Sequence, residues 1–169
     1  KSRSGERGIW NKVGAKKVAE DRGREYDGDY IPNPCGEVSL RDTGGVCNLT
    51  EAIIRPGDTY DDIKKKVELA TIMGTIQASL TNFRFLRKVW KNNCEEERLL
   101  GVSFTGIMDH PIFSNKGDSD DYHIWSKGKA TCLEELLDHF SEYAHEVNKK
   151  WAKKIGINPT GHVCVIKPS

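Results

Sequence analysis

The fold is decided by the stretch LLGVSFTG at residues 99–106. Its apolar residues follow a charged segment and end at a glycine, a pattern typical of a buried β-strand. Helical patterns lie on both sides of it along the chain. Because strands that alternate with helices build parallel sheets, the sequence predicts an α/β architecture in which most strands are parallel.

Two helices are predicted before this strand. The first begins at Thr59 or the residue before it, where Thr59 and Asp62 form a capping-box pattern. Apolar residues then recur at helical spacing over residues 63–80. A second helical stretch is predicted over residues 83–90, ended by the pair Asn92–Asn93.

The segment after the strand is predicted to be a loop over residues 111–129. It holds three aspartates, Asp118, Asp120 and Asp121. Their spacing lacks the glycine and terminal glutamate of a calcium loop. We therefore interpret them as part of a solvated loop and not as a cation site.

A long amphipathic helix and a final strand are predicted next. Thr131 and Glu134 form a second capping-box pattern, and apolar residues recur at helical spacing after them. Gly156 is predicted to end this helix. Residues 162–167 then have the pattern of a strand.

Composition excludes several classes of partner. The formal net charge of the 169 residues is +1, so no overall attraction to nucleic acid or to a membrane is expected. A run of basic residues between Lys1 and Arg24 is interpreted as a solvated surface. No apolar stretch approaches the roughly 20 residues of a membrane span.

The cysteines favour a reducing compartment. Their number is odd, no CxxC pair occurs, and no zinc-finger spacing is present. A secreted disulfide framework is therefore not expected, and the prediction is a cytoplasmic protein. The five cysteines are at positions 35, 47, 94, 132 and 164.

The stretch with the clearest chemical potential is NPCGEVSL at residues 33–40, followed by CNLTE at residues 47–51. In an extended chain, Asn33, Cys35 and Glu37 project to one face. An amide that holds a hydroxyl, a thiol that breaks a bond and a carboxylate that accepts a proton would then share one space. The alternative is that Cys35 is a small buried residue in a turn, with its two polar neighbours exposed.

Four landmarks resemble the catalytic chain of ribonucleotide reductases. They are the finger-loop motifs NPCGE and CNLTE, the preceding segment SGERGI at residues 4–9, the barrel strand at residues 100–106, and the strand VCVIKPS at residues 163–169 that leads into a substrate-phosphate loop. The resemblance runs over nearly the whole chain in the family's order. It implies that residues 1–169 are one segment of a ten-stranded α/β barrel, incomplete at both ends, with the catalytic cysteine on a finger loop.

The resemblance also implies roles in the catalytic loop. Cys35 matches the cysteine that becomes a thiyl radical and abstracts the ribose 3′ hydrogen. Glu37 matches the carboxylate that takes the 3′-hydroxyl proton, and Asn33 matches the amide that hydrogen-bonds the ribose hydroxyls. Pro34 and Gly36 belong to the same substrate-binding loop.

Two further roles are implied beyond that loop. Cys47 matches one half of the redox pair that supplies reducing equivalents, and its partner is expected upstream of Lys1. Ser169 matches the start of the loop that holds the substrate phosphates. Cys94, Cys132 and Cys164 match nothing catalytic and are interpreted as packing or surface residues.

The PCGE form and the SGERG opening most resemble adenosylcobalamin-dependent reductases. The implied partners are a ribonucleoside triphosphate or diphosphate, a dithiol reductant such as thioredoxin, and the remainder of the reductase chain. A large-subunit fragment that uses a metal-radical partner subunit is the alternative within the family, and the glycyl-radical type matches least.

Two readings from other classes stay open. In a thiol-redox reading, Cys35 and Cys47 form a regulatory disulfide. In a binding-module reading, the basic start holds an acidic partner and the cysteines are inert. Each differs from the reductase hypothesis in the reactivity that it assigns to Cys35.

Overall fold

The structure is a computed structural model that describes residues 8–21, 23–34, 36, 38–161 and 163–164, the last two by their backbone alone. Its helices are α1 (Lys12–Asp21), α2 (Tyr60–Ala78), α3 (Lys88–Glu97), α4 (Ser119–Trp125) and α5 (Leu133–Ile155). Its strands are β1 (Tyr30–Pro32), β2 (Ser39–Arg41), β3 (Asn48–Ile53), β4 (Leu100–Thr105) and β5 (Val163–Cys164).

A parallel sheet forms the centre of the fold. Its strand order is β3-β4-β5, and β4 is the strand that the sequence predicts at 99–106. Asn48 pairs with Leu100 and Ile53 with Thr105, so β3 and β4 run side by side over their full length. The prediction of a mixed α/β fold with parallel strands is confirmed, whereas β3 was not predicted as a strand.

Helices α2 and α5 cover one face of this sheet. Leu100, Val102 and Phe104 of β4 are almost fully buried, and they belong to one cluster with Ile63 and Phe140. Burying each such side chain contributes roughly 1.5–3 kcal/mol to the free energy of unfolding. The apolar cluster therefore fixes how the two helices lie on the sheet.

Gly74 lets α2 approach the sheet closely. A Cβ atom built on it would lie 2.6 Å from Leu100 Cδ2, so a side chain there would push the helix away. On the other face of the sheet, Leu49 and Ile53 of β3 are 40% and 52% exposed. The two faces thus differ, because one carries the core and the other presents apolar side chains to solvent.

The start of α2 follows the sequence prediction. Thr59 is its N-cap, with its hydroxyl accepting from Asp62 N at 3.3 Å while Asp62 Oδ2 accepts from Thr59 N at 2.9 Å. The end of α5 at Gly156, whose φ is 76°, also follows it. Both signals are local, and both are confirmed.

The predicted bounds of α3 are wrong. The helix covers residues 88–97 instead of 83–90, and Asn93 lies within it. Asn93 does not end the helix, because its side-chain amide donates to Gly44 O at 2.6 Å across a tertiary contact. The helix ends instead at Arg98, which has a left-handed φ of 46° and donates through Nη1 to Ala78 O at 2.5 Å.

The predicted loop at 111–129 contains a helix, α4. Asp118 is its N-cap, with Oδ1 accepting from the backbone N–H groups of Asp120 and Asp121 at 3.0 Å each. Negative charge at a helix N-terminus is stabilising. The aspartates therefore cap a helix and do not belong to a solvated loop.

The capping box predicted for α5 is also wrong in detail. Its N-cap is Cys132, which makes no side-chain capping bond. Thr131 pairs with Glu135 instead of Glu134, donating to Glu135 Oε2 from its backbone N at 2.7 Å and its hydroxyl at 2.8 Å. The helix starts one residue later than the pattern implies.

Candidate functional site: a hairpin tip braced by a helix

An antiparallel hairpin carries Asn33, Pro34 and Gly36 of the motif NPCGE at its tip. β1 and β2 pair from Tyr30 with Arg41 to Pro32 with Ser39. One step beyond, Asn33 N donates to Val38 O at 3.1 Å. The chain therefore reverses direction between Asn33 and Val38.

Asn33 holds this turn with two oxygen atoms. Its side-chain Oδ1 accepts from Val38 N at 3.2 Å, and its backbone oxygen accepts from Gly36 N at 3.0 Å. Gly36 has a φ of 79°, which a glycine adopts readily. Asn33 is half-buried, whereas Pro34 and Gly36 are exposed.

The turn changes the argument for a shared face. The expectation that Asn33, Cys35 and Glu37 project together assumes an extended chain, and the turn held by Gly36 N is not extended. Cys35 and Glu37 lie outside the described residues, as does Ser169. The roles of Cys35, Glu37 and Ser169 therefore stay predictions. The geometry of Asn33, Pro34 and Gly36 does not test them.

Buried charges anchor the hairpin to α3. Arg24 donates through Nε to Glu97 Oε1 at 2.9 Å and through Nη1 to Ser39 O at 2.9 Å. Arg41 donates to both oxygens of Glu96, at 2.9 and 2.8 Å. The side chains of Arg24, Arg41 and Glu97 are only 5–6% exposed. Such geometry holds the strand that follows the motif in one position.

The anchor is electrically balanced, with two guanidinium groups and two carboxylates. The hydrogen bond from Arg41 lowers the pKa of Glu96 below its ordinary value. Glu97 Oε2 is buried and, within the described part of the chain, has no hydrogen-bond partner. Since a buried, half-satisfied carboxylate is costly, Glu97 depends on its two arginines.

Tyrosine rings complete the anchor. The Arg24 guanidinium lies 4.7 Å from the Tyr30 ring centroid, and that of Arg41 lies 4.8 Å from the Tyr26 centroid. Burial raises the pKa of Tyr30. The Tyr26 hydroxyl donates to Asp42 Oδ1 at 2.5 Å, which joins the ring to the segment after β2.

Helix α3 also holds the link from the hairpin to Cys47. Asn93 Nδ2 donates to Gly44 O at 2.6 Å and to Thr43 Oγ1 at 3.0 Å. Gly44 has a φ of 119°, and a Cβ atom there would overlap the Trp90 ring. Both the left-handed backbone and the close ring require glycine at this position.

Cys47 is half-buried and directly precedes β3. Its Sγ lies 3.8 Å from where a Cβ of Gly101 would be, beside Leu49. Cys47 therefore belongs to the sheet face opposite α2 and α5. Together, the hairpin tip and Cys47 are the two ends of one segment that α3 braces.

The side chains of Cys94 and Cys132 fit the interpretation as packing or surface residues, whereas Cys164 is described by its backbone alone. Cys94 is 8% exposed, and burial raises the pKa of its thiol. Cys132 is exposed at the start of α5. The backbone of Cys164 pairs with Gly101 in β5.

The sequence does not predict the anchoring residues. Arg24 lies in the basic run that is interpreted as a solvated surface, yet it is 6% exposed. Glu97 ends a run of three glutamates, which resembles a solvated surface equally well. Arg24 and Glu97 are 73 residues apart, so no local pattern connects them.

Adenosylcobalamin, the cofactor that the resemblance implies, needs a cavity that takes a corrin ring. Two cavities of about 640 and 270 Å³ lie beside His110 and beside Glu97, and neither is lined by Gly36 or Cys47. In the part of the chain that the structure describes, no three His, Cys, Asp or Glu side chains are grouped to hold a metal ion. Neither of these two cavities therefore opens onto the described part of the hairpin tip or onto Cys47.

Comparison with known proteins adds no family. No protein-family model, no curated protein and no solved structure matches the chain. Among the helices within the described ranges, none is both long enough and apolar enough to cross a membrane.

Proposed function

We propose that this chain is part of a ribonucleotide reductase and contributes Cys35 as the thiyl-radical residue that starts reduction of a ribonucleotide to its 2′-deoxy form. The observation that carries the proposal is the pair of motifs NPCGE and CNLTE, in that order, on a hairpin tip and at the start of a parallel strand. The other three landmarks, at residues 4–9, 100–106 and 163–169, support it by their order in the sequence.

The anchored hairpin suits a reactive tip. A reacting atom that is misplaced by about 1 Å can cost a factor of roughly 100 in rate. The ion pairs of Arg24 and Arg41 with α3 limit such displacement at the base of the hairpin. Asn33, which closes the turn through Val38 and Gly36, limits it at the tip.

The proposed roles are those that the resemblance implies, and the chemistry of each side chain suits them. The Cys35 radical takes the hydrogen atom from ribose C3′ while Glu37 accepts the proton of the 3′-hydroxyl. The Asn33 amide holds the ribose hydroxyls. Cys47 and a second thiol supply two electrons and two protons and close to a disulfide, while the 2′-hydroxyl leaves as water. The hydrogen atom held by Cys35 then returns to C3′.

The sheet is consistent with a segment of the proposed ten-stranded barrel. Parallel sheets are almost always covered on both faces. Here α2 and α5 cover one face, while Leu49 and Ile53 are exposed on the other. In the proposed barrel, that second face, to which Cys47 belongs, would point toward the interior.

The proposal includes adenosylcobalamin as the radical source, held by residues beyond those described, and a ribonucleoside triphosphate as substrate. The alternative is a diphosphate reductase whose radical comes from a metal centre in a partner subunit. The site residues are the same in both cases, so the assignment of Cys35 does not depend on this choice.

The test is reduction of a ribonucleoside triphosphate by the complete polypeptide that contains this chain, with adenosylcobalamin and a dithiol. We expect the Cys35→Ser variant to lose turnover entirely, while Cys132→Ser, an exposed matched control, keeps it. Full activity of the Cys35→Ser variant would show that the proposal is wrong. Activity with only a metal-radical partner subunit would keep the site and change the cofactor.

A further inference from the structure

Helix α2 is apolar on two opposite faces. Its inner face, which includes Ile63 and Val67, is fully buried in the core cluster. Its outer face presents Leu69, Met73 and Ile76, which are 49%, 65% and 46% exposed. A helix that is apolar all round is normally covered on every side. The outer face of α2 is therefore a candidate contact surface, since exposed apolar patches mark such surfaces.

The exposed apolar residues of this face form one row along the helix. Its members follow each other at separations of four, three and four positions: Leu69, Met73, Ile76 and Leu80. Leu80 continues the row past the end of α2, because its N–H donates to Gln77 O at 3.0 Å. The row is about 16 Å long at the helical rise of about 1.5 Å per residue. Alternating separations of four and three residues are the pattern with which one helix packs on another.

A basic and apolar segment follows the row. Its members are all exposed: Arg84, Phe85, Leu86, Arg87 and Lys88. Arg84 is within about 14 Å of Leu80, since four residues span at most about 3.6 Å each. Among the residues that the structure describes, none forms an ion pair with any of the three cations. Positive charge is therefore available at the end of the row.

The start of α3 adds to this positive charge. Arg87 is the N-cap of α3 and makes no side-chain capping bond, and residues 88–91 of its first turn include no acid. A helix N-terminus carries a partial positive charge that favours carboxylates and disfavours cations. A carboxylate brought by a partner would therefore be stabilised both by the basic side chains and by α3.

The charges beside the first half of the row are already paired. Three ion pairs lie there: Lys65–Glu68, Lys66–Asp58 and Asp61–Lys127. Asp62 accepts from Thr59 in the capping box of α2, and Lys64 lies over the Tyr143 ring on the side of α5. The unpaired charge of the surface is thus positive and is confined to the end at residues 84–88.

We infer that this surface, formed by the row on α2 and by residues 84–88, binds an amphipathic helix of a partner protein that is acidic at one end. The apolar face of the partner packs on Met73 and Ile76, and its carboxylates lie at residues 84–88. A second copy of this chain fits less well, because it brings the same three cations and carboxylates that are already engaged. A membrane fits less well, since helices that lie on membranes carry basic residues along their whole polar face.

The inference does not rest on the proposed reductase activity. The surface shares no residue with the hairpin or its anchor, and it lies on the side of α2 that faces away from the sheet. In the proposed barrel, the opposite face of the sheet points toward the interior, so this surface stays on the outside. Failure of peptide binding would therefore leave the assignment of Cys35 unchanged, and an active Cys35→Ser variant would leave this surface unchanged.

The test is fluorescence anisotropy of a labelled synthetic peptide of three heptads, with leucines at alternating separations of four and three and glutamates in the first heptad. One comparison peptide has lysines in place of the glutamates, and another has serines in place of the leucines. We expect saturable binding of the glutamate peptide at one site per chain. The lysine peptide should bind at least about tenfold more weakly, and the serine peptide should not bind measurably.

Variants assign the binding to this surface. Met73→Glu should remove measurable binding, and Arg87→Glu should weaken it by about tenfold. Ile124→Glu on α4 and Lys17→Glu on α1 are matched controls at exposed positions and should bind as the parent does. Because Met73 and Arg87 are exposed, both variants should keep the circular dichroism spectrum of the parent.

Other occupants of the surface give different results. Sedimentation velocity that shows self-association, lost in Met73→Glu, would assign the surface to a second copy. Vesicles of phosphatidylserine and phosphatidylcholine that bind the protein more tightly than the glutamate peptide does would assign it to a membrane. Either result, equal affinity for the lysine peptide, or unchanged binding in both variants would overturn the inference.

Discussion

The hairpin anchor and the sheet core are stabilised by opposite kinds of contact. The anchor consists of buried ion pairs between Arg24, Arg41 and α3, whereas the core consists of apolar side chains such as Val102 and Phe140. Apolar burial is non-directional, but a buried ion pair is stable only in one geometry. Apolar burial therefore stabilises the sheet core, whereas ion pairs with a specific geometry hold the hairpin of the candidate motif.

The largest expected effect comes from Glu97→Ala. It leaves the buried Arg24 guanidinium without its carboxylate, and removing one partner of a buried pair costs about 3–5 kcal/mol. Urea unfolding followed by circular dichroism measures the loss. Glu134→Ala, exposed on α5, is the matched control and should change stability by less than about 0.5 kcal/mol.

A core truncation distinguishes the two regions. Leu136→Ala removes a fully buried side chain and should cost about 2–5 kcal/mol. Because the core is apolar, this loss should be the same at low and at high salt, whereas the smaller loss in Glu96→Ala, whose carboxylate is 62% exposed, should shrink as the salt concentration rises. Equal salt dependence of Leu136→Ala and Glu96→Ala would contradict the contrast between them.

The link between the hairpin and Cys47 predicts a smaller effect. Gly44→Ala puts a side chain at a φ of 119° and against Trp90, so we expect a loss of about 1–3 kcal/mol. Gly57→Ala, where a Cβ meets nothing within 4 Å, is the control. Thermal unfolding of both variants checks the prediction, and similar losses would argue against a specific role for Trp90.

The smallest expected effect is the pH dependence of the anchor. Arg41 lowers the folded-state pKa of Glu96 below its ordinary value of 4.5. The resulting stabilisation is fully present above pH 4.5 and is lost as pH falls through the lower, folded-state pKa. Urea unfolding at several acidic pH values should show a shallower loss in Glu96→Gln than in the parent.

Local signals were predictable from the sequence, and distant contacts were not. Thr59 and Gly156 mark helix ends through interactions with residues within one helical turn. The local sequence is therefore sufficient to predict these helix ends. Asn93 was predicted to end a helix because its propensity is poor, but its bond to Gly44 keeps it inside one. Tertiary context overrode propensity there.

The candidate site likewise has one part that the sequence predicts and another that it does not. The motif at 33–37 is visible in the sequence, whereas its extended conformation was an assumption that the bond from Gly36 N to Asn33 O replaces with a turn. The anchor could not be predicted, since Arg24 and Glu97 look like ordinary surface charges. Only the burial of Arg24 and Glu97 in the folded chain distinguishes them from surface charges.

The long separation within the anchor has a consequence for synthesis of the chain. Arg41 and Glu96 are 55 residues apart, so the hairpin is translated well before the helix that fixes it. At about 5–20 residues per second, that interval lasts about 3–11 s. During this time the cysteine motif has no anchor. A nascent chain of this protein therefore passes through a period in which the hairpin is not yet held by α3.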